Sequence, residues 1–188
     1  MKRFMIAILM MAALAGSAHA QTIFTGQLLI SPTDWDHQKT IGARVTRDYF
    51  GDLFDWTFTT GTNADQMATL VVNTITLTNA ASQTVDVSAL TNSFGDAVSF
   101  KAVRLFGATA PAANTNAIEI QSASSNGWAS MFGTATTNGA MTVRAGGTVF
   151  AVAPDLTGYA VATNAHRLTV LNVGTNPVSV TLYIAGSE

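Results

Sequence analysis

The chain has 188 residues, nine of them basic and eleven acidic, and no cysteine. Charged side chains make up 11% of it, well under the usual quarter, with Thr, Asn, Ser, Ala and Gly in their place. Such a balance excludes a basic nucleic-acid groove, and the missing thiols exclude disulfide staples and thiolate zinc sites.

The first 20 residues have the grammar of a secretory signal. Lys2 and Arg3 form a positive start, residues 4–15 are an unbroken apolar run, Gly16 and Ser17 break it, and Ala18-His19-Ala20 offers small residues on either side of a cleavage position. About 20 apolar residues are needed to span a membrane, so the run is too short for a stable anchor, and no later stretch reaches that length. No cysteine is present to carry a lipid. Removal of residues 1–20 leaves 168 of the 188, with seven basic and eleven acidic side chains and a net charge of −4. The expected destination is the periplasm, the cell surface or the extracellular space, and 168 residues can bury a core without staples.

Residues 22–30 (TIFTGQLLI) read as a first strand. Residues 31–52 hold the densest charge, with Asp34, Asp36, Lys39, Arg44, Arg47, Asp48 and Asp52 around His37, and read as a long connection or arm. In residues 54–60, Phe54, Trp56 and Phe58 alternate with Asp55, Thr57 and Thr59, the pattern of a half-buried strand. Residues 67–78 (MATLVVNTITLT) are rich in β-branched side chains and read as a longer strand. A turn at 79–83 leads to an alternating strand at 84–88, and 92–96 (NSFGD) breaks the chain before a strand at 97–106. Residues 107–116 read as a loop and 117–121 (AIEIQ) as a short strand; Asn126-Gly127 and Asn138-Gly139 are turn dipeptides.

Further on, 141–144 and 148–152 read as a hairpin around Ala145-Gly146-Gly147. Residues 154–158 turn the chain toward a brief strand at 159–162, and 168–173 with 178–184 read as a closing hairpin. Asn79 and Asn172 each open a turn that runs into an alternating strand, an echo that two hairpins of one sandwich would produce. No helical stripe appears after residue 20. The expectation is an all-β fold: a single antiparallel sandwich, a jelly roll being one topology open to it, with a signal at 1–20, an N-terminal strand and charged connection at 21–53, and the sandwich core at 54–188.

Catalytic chemistry finds little footing. His37 and His166 are the histidines outside the signal, and no serine stands in a Gly-x-Ser-x-Gly elbow. His166, beside Arg167, reads as an ordinary surface histidine, and Asp86 and Glu119 read as solvent-facing strand positions with no nameable partner. Asp34, Asp36 and His37 are the weak candidates for a metal, since they offer oxygen and nitrogen ligands close together, with Asp48, Asp52 and Asp55 nearby. Lys39, Arg44 and Arg47 supply ordinary charge partners, so a solvated charged loop competes with that reading. Trp35 and Trp128 stand in loops and could stack on a sugar ring, whereas Trp56 belongs to the core stripe. No cofactor is implied.

The segments LTNSFGD at 90–96, NGW at 126–128, VRAGG at 143–147 and PDLTGY at 154–159 occur in an arrangement that runs from about residue 64 to 184. That arrangement resembles small β-sandwich proteins encoded among bacteriophage structural genes and in related bacterial and metagenomic sequences. The resemblance implies a non-enzymatic virion or assembly component and carries no catalytic residue. The chain departs from it in its export signal, because tailed-phage structural proteins assemble in the cytoplasm. Low charge and a Thr/Asn/Ala surface point toward self-association or contact with other surface proteins. The alternative is an exported module or adhesin that recognises a glycan or surface polymer. A membrane barrel is disfavoured: the chain ends Ile184-Ala185-Gly186-Ser187-Glu188, without a terminal aromatic. Expressed in a secreting bacterium, the chain is expected to mature to a species beginning at Gln21, which an intact-mass measurement reads directly.

Overall fold

A computed structural model describes backbone and side chains for residues 58–133 and 139–188, and the backbone of the strands within residues 24–57. The chain divides into two compact units, Met1–Thr59 and Thr60–Glu188. In the first, β1 (Phe24–Ile30) pairs antiparallel with β4 (Asp52–Thr60), Leu28 opposite Phe54 and Gly26 opposite Trp56. Within the segment expected to be a long connection, β2 (His37–Ile41) and β3 (Arg44–Asp48) form an antiparallel pair. Its Thr40, Ile41, Val45 and Thr46 supply β-branched positions that the charge density obscured. The predicted signal lies outside the described residues.

The second unit is an antiparallel sandwich. After the short β5 (Gln66–Met67) come β6 (Thr69–Leu77), β7 (Ser82–Asp86), β8 (Leu90–Thr91), β9 (Ala97–Val98), β10 (Ala102–Thr109) and β11 (Ile118–Ser122). A single helical turn α1 (Ala129–Phe132) precedes β12 (Ala140–Val143), β13 (Thr148–Val152), β14 (Tyr159–Ala160), β15 (Arg167–Asn172) and β16 (Val178–Ser187). One sheet has the order β13-β10-β16-β6, with β14 also on β10, and the other has β12-β11-β15-β7. The connections β6–β7, β10–β11, β12–β13 and β15–β16 therefore each cross from one sheet to the other. Eight strands in this order make a jelly roll.

Two predicted hairpins are thereby corrected. The strands at 141–144 and 148–152 belong to opposite sheets, as do those at 168–173 and 178–184. The reason lies in the burial pattern. In β15, Leu168 and Val170 are 0% exposed, and in β16, Val178, Val180, Leu182 and Ile184 are 0–2% exposed. Each alternating stripe needs a cover, and the two stripes cover one another instead of pairing edge to edge. The stretch 97–106 also divides: β9 pairs with β8, and β10 starts at Ala102 and runs through Thr109, into what read as a loop.

These four crossings lie at one end, and those of β7–β10 and β13–β15 at the other; at the first end asparagines replace the backbone pairing that a ladder would give. Asn172, 1% exposed, donates from Nδ2 to the Thr78 and Asn176 carbonyls, each at 2.8 Å, and accepts from the Gly174 amide at 3.0 Å. Asn116 donates to the Asn176 carbonyl at 2.8 Å, and the Ala80 amide to the Gly174 carbonyl at 2.9 Å. Asn114 bonds Ser179 in both directions, at 2.7 and 3.0 Å. The Asn79/Asn172 echo is thus two sheet crossings locked to each other. Truncating a buried hydrogen-bonding group leaves each former partner unpaired, at about 1–3 kcal/mol. Asn172→Ala is expected to lower the unfolding free energy by about 2–4 kcal/mol, read from urea denaturation.

Candidate functional site

At the opposite end of the sandwich the connections β7–β10, β11–β12 and β13–β15 come together. Trp128 opens α1 and is 0% exposed. Its ring meets Phe106 at 6.0 Å, Phe132 at 6.1 Å and Tyr159 at 6.4 Å between centroids, all edge-to-face, and its indole N–H donates to the Ala160 carbonyl at 2.9 Å. A stacking platform needs a face in solvent, and this ring has none: Trp128 stands in the loop expected of it, but its ring is packed inward against Phe106 of β10. Trp35, Asp34 and Asp36 lie outside the described residues, and His37 is placed only as the first residue of β2, opposite Asp48. Among the described residues no cluster of three metal-ligating side chains occurs.

The same end holds the residues whose partners the sequence hid. His166 is 7% exposed, with Nε2 3.4 Å from Asp86 Oδ2 and Nδ1 2.9 Å from the Ala162 carbonyl. Arg167 Nε donates to the same Oδ2 at 3.3 Å, because Arg167 and Asp86 are register partners on β15 and β7. Asp86 Oδ1 accepts from the Ser88 hydroxyl at 2.6 Å and from its amide at 3.0 Å. The surface-histidine reading does not stand; Asp86 does face outward between the buried Val85 and Val87, as expected, but with partners that the sequence could not name. The two groups are 80 residues apart, so only the register could reveal them. Glu119 is half-buried, across from Thr142 on β12 and Leu171 on β15.

Partial burial alone would push the Asp86 carboxyl up. The Ser88 hydroxyl, the Ser88 amide, Arg167 and the charge of His166 outweigh it and hold the carboxyl below its ordinary value. The order of contacts is serine, aspartate, histidine. A hydrolytic relay requires the histidine in the middle, and here the serine hydroxyl donates its hydrogen bond to the carboxylate. What this arrangement does chemically is clamp β7, β15 and the loop before β15.

A second clamp was missed because Arg104 stands in an apolar run, AVRLF. A register shift between Val103 and Leu105 turns it out of the ladder, and it is fully buried. Its guanidinium donates to the carbonyls of Asn63 and Gln66, to Thr62 at 2.8 Å and to Leu156 at 3.1 Å. An arginine embedded in an apolar strand was the available signal: a cation that cannot lose its proton must find acceptors.

The sheets differ most on their outer faces. Registers across β6, β16, β10 and β13 align Thr74, Thr181, Thr109 and Thr148 in one row, and Val72, Tyr183, Gly107 and Phe150 in the next. Thr74 and Thr181 share a hydrogen bond at 3.0 Å, Thr76 and Ser179 another at 3.0 Å, and Thr109 and Thr148 one at 3.3 Å. At Gly107 the Phe150 ring occupies the space a side chain would need, so the strand must carry glycine there. Leu70, Ala185, Leu105 and Val152 make a third row, in which Ala185 and Leu105 are already covered within the chain, at 1% and 7% exposed. None of these residues is charged, whereas the outer face of the other sheet carries Asp86, Arg167 and Glu119.

The uncharged face ends at β6, whose outer edge pairs with no strand among the described residues. Residues 68–78 contain no charge, proline or glycine. The other outer strands, β7, β12 and β13, have five, four and five residues against nine in β6. Exposed edges are usually blunted by such residues; this one is not. At the loop end, Phe94 is 88% and Leu156 62% exposed. Phe94 rides a turn in which Asn92 Oδ1 accepts from the Phe94 and Asp96 amides at 2.9 Å, with Gly95 at φ 92°.

No protein-family model, curated protein or solved structure matches this chain. No described helix is long and apolar enough to cross a membrane.

A group whose folded-state value is depressed stabilises the fold above its unfolded value, about 3.9 for Asp, and that contribution fades as pH falls through the lower folded value. Asp86→Asn is therefore expected to lower the melting temperature at pH 6 and to narrow its deficit toward zero by about pH 2. Melting curves across pH 2–6 check this; a deficit that stays constant with pH would rule the clamp out.

Proposed function

We propose that the chain is an exported, non-enzymatic structural or assembly protein that works through contacts with copies of itself or with other surface proteins. The observation that supports this most is the uncharged threonine and Val72/Tyr183/Phe150 rows of β13-β10-β16-β6, together with the edge of β6, unpaired among the described residues. Charge keeps protein surfaces apart, and desolvating it is costly. A sheet face of hydroxyls, Val72, Tyr183 and Phe150 avoids that cost. Jelly rolls recur in capsid domains, and the likeness to phage structural sandwiches fits the same reading, with export as its difference. Fold alone does not assign a function; the proposal rests on the surface.

Tyr183 and Phe150, in one row beside a row of threonines, favour a second reading, an exported module or adhesin for a neutral glycan, since rings and hydroxyls together suit sugar recognition. Light scattering with sedimentation of the cleaved chain separates the two. Concentration-dependent association between about 1 and 100 μM, weakened by Tyr183→Lys, is the expected result. A strict monomer whose Tyr183 fluorescence responds to an oligosaccharide would move the assignment to the second reading.

A further inference from the structure

We infer that β6 pairs edge to edge with the β6 of a second copy, antiparallel, about a two-fold axis beside Asn73. This rests on the assembly reading and specifies its contact.

An open strand can extend its ladder into any extended chain, so the question is which strand fits. β6 fits its own copy. Antiparallel pairing centred on Asn73 sets Val72 opposite the partner's Thr74, Val71 opposite the partner's Ile75, Leu70 opposite the partner's Thr76 and Thr69 opposite the partner's Leu77. Side chains alternate with period two, and a one-residue slip would exchange core and solvent faces. In this register Val71 and Ile75, 1% and 2% exposed and turned to the core, meet each other, so the two cores join. On the outer face, Val72 and Thr74 meet, and the threonine and apolar rows of one copy continue into those of the other. The contact is self-complementary, as a two-fold interface must be.

Asn73 identifies the axis. It lies between Val71 and Ile75 on the core-facing side of β6, is half-buried, and its amide makes no hydrogen bond to the described residues. Its carboxamide is open to water in the single chain and needs a partner only once the edge is covered. At the two-fold it faces its own copy, and two carboxamides satisfy each other reciprocally because each has a donor and an acceptor. A lysine or glutamate at the same place would repel its copy. Near this edge the structure brings one carboxylate, Glu188, which takes the Thr69 hydroxyl at the far end of the strand, four residues from the axis. The product is one continuous sheet across two copies, the β13-β10-β16-β6 order followed by its reverse.

The absence of native cysteine makes the test direct, since a single introduced thiol has no competitor. Directly opposed side chains in an antiparallel pair have Cβ atoms about 4.5–5.5 Å apart, close to disulfide range. Under mild oxidation, Asn73→Cys is expected to form a covalent dimer at least about tenfold faster than Thr142→Cys, which is exposed on the outer strand of the other sheet. Leu70→Cys and Thr76→Cys are expected to cross-link with each other when mixed and to be slow alone. Thr74→Lys, at an exposed position, is expected to weaken association at least about tenfold with its melting temperature unchanged. If the chain associates but Asn73→Cys cross-links no faster than Thr142→Cys and Thr74→Lys has no effect, edge pairing is wrong while the assembly reading stands. A chain that remains monomeric at every concentration, with no cross-link, overturns both.

Discussion

Two sheets can share one core only if the chain passes between them repeatedly without stranding backbone amides and carbonyls. Everything else in this sandwich depends on how that is met at the end that holds four of the crossings. There the ladders stop, and the side chains of Asn114, Asn116 and Asn172 take over as hydrogen-bond partners for the turning backbone. Carboxamides suit the task because each offers donors and an acceptor without charge, so they can be buried with little electrostatic cost. With the crossings fixed, the stripes of β15 and β16 face each other, and the aromatic nest around Phe106 and Trp128 closes the far end of the same core.

The sandwich was legible in the sequence because its signal is local. Val178, Val180, Leu182 and Ile184 alternate with Ser179, Thr181 and Tyr183, and such a pattern has one structural meaning. Connectivity was less legible. A short turn between alternating strands looks the same whether it closes a hairpin or steps to the opposite sheet; only the need of two apolar stripes for each other decides. The Asp86–His166 contact was illegible in principle, since it depends on which strand lies beside β7. Arg104 was readable in hindsight from chemistry alone, as a permanent cation set in an apolar strand.

The two faces of the molecule follow different rules. One sheet carries Asp86, Arg167 and Glu119 toward solvent. The other carries threonines bonded to one another across strands. Such a surface is polar without being charged, which lowers the cost of covering it relative to an ionic one. The proposed edge contact at β6 extends that same surface and does not create a new one.

The order of strands also governs when this fold can be completed. β16 lies between β10 and β6, and β15 between β11 and β7. One of the two inner strands of each sheet is therefore synthesised late, and β6 and β7 remain without their neighbour until residues 167–187 exist. Long-range pairings of this kind form slowly, because distant parts of the chain must first be brought together. Both sheets are therefore completed only when these last strands arrive.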